Sequence, residues 1–379
     1  MYIIKDVDIV TKDKVLKKHD IKFTDRIIDI KKEINKEDKY QVIDGSNKFL
    51  SPGFVDIHLH GSFGIDIMNA DRQDIVRMTD GLKKAGTTSI LPTVMTSSQE
   101  RMENAIKTIK DVITDGNQVI EGINLEGPLL NPSKAGAQDK RYMQALNNKM
   151  FEKYQDLIEI VTVAPEVEGA TVLINRLKKL GIVSSMGHTD ATYEESMAGF
   201  ENGISLVTHL FNGMRGIHHR EIGAAGAALL TDVSVELIAD GIHVSKPMIE
   251  LILRLKDKNN IILITDAQPA ALYEGDEITF NDKRVILKEG SARYEDGTLA
   301  GSILSMHQAV KNMDKFSDLK IQEIIKMATF NPAQKIGKED KIGSIELDKQ
   351  ADLLLLDKNL EILEVFKKGK KLNNKFRSE

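Results

Sequence analysis

The stretch Pro52-Gly53-Phe54-Val55-Asp56-Ile57-His58-Leu59-His60-Gly61 alternates two histidines with apolar residues. In an extended strand, residues two apart point the same way, so His58 and His60 can converge on one ion while Ile57 and Leu59 enter packing. Glu126, His188, His209 and Asp266 add two carboxylates and two imidazoles elsewhere in the chain. Together these six suit one or two divalent ions of borderline hardness: Zn²⁺, Fe²⁺, Mn²⁺ or Co²⁺. A site of that kind activates water for attack on a carbonyl, and a carboxylate beside the water can shuttle its proton to a leaving group. Asp266 is the residue we assign to that acid/base role. There is no cysteine. Thiolate ligands, thiol nucleophiles and disulfides are therefore excluded.

Each candidate must be held by an element of secondary structure, and the apolar runs show which. Eight such runs follow Pro52: Phe54 to His60, Ser89 to Met95, Gly122 to Glu126, Ile160 to Ala164, Val183 to His188, Leu206 to Leu210, Val235 to Ala239 and Ile261 to Thr265. Their near-continuous hydrophobicity predicts parallel strands buried on both faces. Helical patterns lie between and beyond them at Ile75 to Ala85, Gln99 to Ile113, Ala170 to Leu180, Tyr193 to Glu201, Pro247 to Leu255, Ser305 to Lys311 and Ile321 to Ala328. Eight alternating units predict an α/β fold, a closed (β/α)8 barrel of the TIM type. All six candidates fall at the C-terminal ends of runs, where barrel enzymes place their chemistry. Individually, Glu126 or Asp266 could cap a helix and a histidine could be a satisfied core residue. Packing does not explain six at one rim.

The segments outside the barrel are β-rich. Tyr2 to Val10, Val15 to Thr24, Arg26 to Lys31 and Gln41 to Asp44 precede it, and Gly343 to Lys371 follows. Each is too short to bury a face alone, so the two predict one small discontinuous β-sandwich domain. The expected boundaries are residues 1–52 and 336–379 for that domain and 53–335 for the barrel. Glu277 to Glu289 reads as an inserted hairpin. At 379 residues, 41% hydrophobic and a net charge of −5, the chain is an ordinary globular protein with no basic, aromatic-interleaved stripe for nucleic acid. Met1 to Asp20 has no apolar core of a leader and no run reaches membrane-span length, so no membrane partner is expected and the cytoplasm is the expected compartment.

Beyond the six, the segments Glu126-Gly127-Pro128, Gly187-His188-Thr189, Thr208-His209-Leu210-Phe211-Asn212, Ala239-Asp240-Gly241-Ile242-His243, Thr265-Asp266-Ala267, Leu299-Ala300-Gly301-Ser302 and Asn331-Pro332-Ala333 carry a resemblance. The chain resembles the amidohydrolase superfamily, and within it the branch that deacetylates N-acetylglucosamine 6-phosphate. The resemblance implies that Glu126, His188 and His209 hold one metal and that Glu126 bridges to a second held by His58, His60 and Asp266. It implies Asp266 as the catalytic acid/base, and sugar-phosphate contacts from Asn212, Gly213 and His243. Ala137, Gln138, Leu299, Ala300 and Gly301 fall in its substrate-binding segments. Arg220 matches an arginine that binds phosphate across a dimer interface, which implies a homodimer or a higher homo-oligomer. A charge-assisted donor such as Arg220 is also what a phosphate needs in an acidic protein. The neighbouring His218 and His219 read as solvated loop residues.

Three positions depart from the pattern. Gln138 stands where a histidine is usual, Gly213 where an alanine is usual, and Gln268-Pro269 follows Asp266 in place of a less rigid segment. These bear on the substrate and leave the metal chemistry intact. The alternatives are N-acetylgalactosamine 6-phosphate or another N-acyl substrate of the superfamily. A purely structural scaffold would be expected to have lost ligands, and all six are present.

Overall fold

The structure, a computed structural model, describes residues 1–143, 147–280, 283–288, 291–295, 297, 299 and 301–373. Two compact units divide the chain, one built from Met1–Asp56, Asp80–Ser89 and the chain from Met306 onward, the other from Ile57–Thr79 and Ile90–Ser305.

The barrel consists of strands Phe54–Leu59, Thr87–Met95, Ile123–Glu126, Ile158–Val163, Val183–Met186, Ile204–Val207, Ser234–Ile238 and Ile261–Ile264, hydrogen-bonded in chain order. Each of the eight predicted runs overlaps one of them, and four begin one or two residues inside the strand. The Thr87–Met95 and Ile261–Ile264 strands are buried at every residue, as strands covered on both faces must be. The ends of the sheet meet: Asp266 N–H donates to the His58 carbonyl at 2.9 Å, and Leu59 pairs in parallel with Ala267.

Helices between the strands begin and end on local signals. Ser98 accepts from the Arg101 N–H to cap Gln99–Thr114, and Thr192 with Glu195 forms a capping box on Tyr193–Asn202. Gly181, at φ +73°, closes Ala170–Leu180. The helix Gly223–Leu230 was not predicted, because its Gly/Ala composition carries no 3.6-residue stripe and it is buried through Leu229. The expected hairpin is a three-stranded antiparallel sheet, with Ser291–Tyr294 added to Glu277–Phe280 and Lys283–Lys288. Four residues of mixed polarity give no alternation long enough to read.

In the other unit one eight-stranded sheet joins both ends of the chain: Phe49–Pro52 pairs antiparallel with Leu353–Leu356. The sheet curls into a sandwich. Phe23 and Phe366 stand on strands separated by three others, about 19 Å apart in a flat sheet, yet their ring centroids are 5.2 Å apart. Ile4, Ile9, Ile21, Leu50, Leu353 and Leu355 fill the space between the layers. Among the described residues, no helix is long and apolar enough to cross a membrane.

Glu346 sits beside Lys349 Nζ at 2.6 Å and Lys12 Nζ at 3.0 Å, and accepts from Ser344 Oγ at 2.9 Å. Partial burial opposes ionisation, but the two ammonium groups and the hydroxyl outweigh it and pull the carboxyl from 4.5 down to about 2. A depressed folded-state value means that the stabilisation is present above the unfolded-state value and lost as pH falls through the folded one. Glu346→Gln should therefore lower the urea midpoint near neutral pH, with the gap to wild type closing between pH 4.5 and about 2. A gap that stays constant across this range would show that the carboxylate charge contributes nothing.

Candidate metal centre

All six candidate ligands lie in the barrel unit. His58 is in the first strand and His60 just beyond it, Glu126 ends the third, and His188, His209 and Asp266 each stand two residues past the fifth, sixth and eighth strands. Those last three share an unusual backbone, at φ +46°, +28° and +48°. Side chains other than glycine avoid this left-handed region at a cost of roughly 1–2 kcal/mol, and such strain concentrates at functional sites. Here it turns each ligand inward at the same offset from its strand.

The six form two triads. The ligand atoms of Glu126, His188 and His209 lie within 4.8 Å of one another, as do those of His58, His60 and Asp266. Glu126 joins the two. Its Oε1 is 3.0 Å from His188 Nε2, 3.1 Å from His209 Nε2 and 3.6 Å from His58 Nε2, while its Oε2 is 3.4 Å from His60 Nε2. Asp266 Oδ1 stands 3.2 Å from His60 Nε2 and 3.7 Å from His58 Nε2.

The donor set fits a cation on its own chemistry. His188 Nδ1 donates to the Lys134 carbonyl at 2.8 Å and His209 Nδ1 to the Asn212 carbonyl at 3.1 Å. A carbonyl only accepts, so in each neutral ring the lone pair is on Nε2. Those two Nε2 atoms are 3.3 Å apart and both face Glu126 Oε1. Lone pairs and an anionic oxygen at such distances repel unless positive charge lies among them.

The same crowding shows in the acidities. Burial opposes a charge on His58, but Glu236, Glu126 and Asp266 raise it to about 10, and Glu126 raises His188 against its own burial. Burial works against ionised Glu126, yet His188, His209 and His58 hold it well below the ordinary carboxylate range. Asp266, partly buried, is drawn to about 2 against its own desolvation by His60, His58 and His209. The protein groups alone thus recruit protons, which a divalent ion would displace.

Two residues hold the ligands in ways the sequence did not reveal. Glu236, inside the seventh strand and fully buried, accepts from His58 Nδ1 at 2.9 Å and from the His209 N–H at 3.1 Å. The only signal was a charged residue within the apolar run Ser234-Val235-Glu236-Leu237-Ile238, since a buried carboxylate needs partners. Gln138 was expected to bear on substrate and leave the metal chemistry untouched. The structure instead sets its amide Nε2 on Glu126 Oε2, while its Oε1 accepts from the Thr96 N–H at 2.9 Å.

The other sequence-predicted residues are placed as follows. Asn212 gives its backbone carbonyl to His209 and its side-chain amide to the carbonyls of His209 and Leu210. Gly213, at φ +59°, lies against His188; a methyl there would sit 3.0 Å from Nδ1. Ala137 is exposed, next to Gln138. His243 follows the seventh strand and donates from Nδ1 to Asp240 Oδ2 at 2.6 Å. Arg220 is exposed, with Nη1 at 2.7 Å from His219 Nε2, and His218 and His219 are exposed with it. Leu299 bridges to Arg293 beside the three-stranded sheet, and Gly301, at φ +95°, leaves the room that Gln268 Nε2 occupies. Ala300 lies outside the described residues.

An eight-stranded barrel with two His/carboxylate triads at the C-terminal ends of its strands defines a metal-dependent hydrolase, and the chain belongs to the amidohydrolase family, which it matches over residues 49–372. It is 36% identical over 374 residues to N-acetylglucosamine-6-phosphate deacetylase of Bacillus subtilis (strain 168), covering 95% of this chain and 94% of that one. It is 34% identical over 331 residues to N-acetylgalactosamine-6-phosphate deacetylase of Escherichia coli O157:H7, covering 85% and 87%. The crystal structure of N-acetylglucosamine-6-phosphate deacetylase from Pasteurella multocida superposes with a TM-score of 0.93 at 31% identity, over 98% of this chain and 100% of that one.

Proposed function

We propose that this chain hydrolyses the N-acetyl group of N-acetylglucosamine 6-phosphate, giving glucosamine 6-phosphate and acetate in amino-sugar catabolism. The observation that carries the reading is the pair of triads joined through Glu126, in a chain that shares its length and about a third of its sequence with deacetylases of that substrate. Glu126, His188 and His209 would hold one divalent ion; His58, His60 and Asp266, with Glu126 shared, would hold another. When bound, Zn²⁺, Fe²⁺, Mn²⁺ or Co²⁺ supplies Lewis acidity toward the scissile carbonyl and toward water. Asp266, ionised and at the rim, takes a proton from the attacking water. It then delivers that proton to the amide nitrogen as the C–N bond breaks, so that the amine leaves and the acyl carbon keeps the water oxygen.

Substrate is held by other groups. His243, its Nδ1 committed to Asp240, presents Nε2 as the remaining polar atom of its ring. Arg220 supplies the cation for the 6-phosphate, reaching a neighbouring subunit's site in a homodimer or higher homo-oligomer. Ala137, Gln138, Asn212, Gly213 and the Leu299–Gly301 segment border the sugar. A phosphorylated sugar is made and retained inside cells, which supports a cytoplasmic setting. Gln138, together with the similarity to an N-acetylgalactosamine-6-phosphate deacetylase, favours the galacto isomer as the second reading.

Acetate release from the two N-acetylhexosamine 6-phosphates and their unphosphorylated forms tests this reading. The gluco 6-phosphate should give the highest kcat/KM; no release from any of the four would refute the activity. In the same assay Arg220→Ala should mainly raise KM for the phosphorylated sugar. Losing a charge-assisted contact costs roughly 1.5–3 kcal/mol, about one to two decades in kcat/KM. The penalty should nearly vanish without the phosphate. Equal losses on both forms would remove Arg220 from phosphate recognition.

A further inference from the structure

We propose that Glu236 is a positioning residue that decides whether the second cation, the one at His58, His60 and Asp266, is held. This rests on the proposed two-ion reading of the six ligands and goes beyond it to a residue outside both triads.

The geometry is specific. A single carboxylate oxygen, Glu236 Oε2, accepts from the Nδ1 of a ligand in one triad and from the backbone N–H of a ligand in the other, while the Glu236 carbonyl accepts from the Leu210 N–H at 2.9 Å. Glu236 therefore keeps the His58 proton on Nδ1 and leaves the Nε2 lone pair for a cation. It also pins the turn that carries His209. Its other oxygen, Oε1, is buried and makes no hydrogen bond among the described residues. A buried carboxylate left half satisfied needs positive charge nearby.

Charge counting indicates what that charge is for. The triads contain two carboxylates, Glu126 and Asp266, whose charges balance one divalent ion. A second ion would leave two uncompensated positive charges in a buried site, and Glu236 removes one of them. Partners that orient a metal-bound imidazole typically change metal affinity by about 10–100-fold. Because Glu236 contacts a side chain of only one triad, its effect should fall on that triad.

The test is titration of the chelator-stripped, full-length protein with Co²⁺, followed by absorption, with elemental analysis after gel filtration. Wild type should take up two ions. Glu236→Gln keeps the shape and an oxygen for both accepted bonds but removes the charge. It should bind the first ion as wild type does and the second about 10–100-fold more weakly. If Glu236→Gln does not fold, Glu236→Asp, which draws the carboxylate one methylene back from His58, should show the same selective weakening. Two ions bound with wild-type affinity in the folded variant would overturn the inference alone. Equal weakening of both ions would reduce Glu236 to a structural role and likewise overturn it. A wild type that binds only one ion would overturn the two-ion reading and this inference with it.

Discussion

Glu126→Ala protein will contain no stoichiometric metal and will lose turnover by several orders of magnitude. Glu126 lies within 3.6 Å of all four ligand imidazoles, through both of its oxygens. Removing it strips one triad of its only carboxylate and takes from the other one of the two anions that face His58 and His60. What remains beside His188 is His209, with Nε2 atoms 3.3 Å apart and no negative charge between them to favour a cation. By contrast, replacing His58 and His60 together leaves the Glu126, His188 and His209 set whole and should leave one ion bound. Elemental analysis of both variants, after circular dichroism has established that they fold, decides the matter. Full metal content in Glu126→Ala would dismantle the assignment of the two triads.

The second large effect is expected at Asp266. The Asp266→Asn side chain has nearly the same volume and still offers an oxygen toward His60, so the fold and the ion at Glu126, His188 and His209 should survive. It can neither accept the water proton nor return it to the amine. Losing a positioned acid/base costs typically two to four decades, so kcat should fall by at least about a hundredfold. The neighbouring imidazoles hold the native carboxyl at about 2, so it is ionised at neutral pH and ready to act as base at the start of the cycle. A variant with normal metal content and near wild-type kcat would move the proton transfers to another residue.

The barrel was legible because its signals are local. Eight apolar runs, with helical periodicity in five of the seven intervals between them, overlap the eight strands. The six ligands were readable as His, Glu and Asp residues ending those runs, since a strand's direction and a short offset past its end place a side chain at the rim. The third strand of the small sheet, Ser291–Tyr294, and the helix Gly223–Leu230 were not legible. One was too short to establish an alternation, and the other too uniformly small and buried to display a stripe.

The chain's own order of residues therefore determined the kind of fold, the ligand types and the rim on which they sit. Tertiary structure decided how they are sorted and what restrains them. Glu236 lies 178 residues from His58 and Gln138 lies 12 from Glu126, and nothing in either local pattern indicates that the first orients an imidazole or that the second touches the shared carboxylate. The first contact joins side chains of two barrel strands and the second joins a loop residue to the end of the third strand. The tautomer of each histidine, the sharing of Glu126 and the balance of buried charge depend on distances of about 3 Å, which closure of the sheet sets and sequence spacing does not.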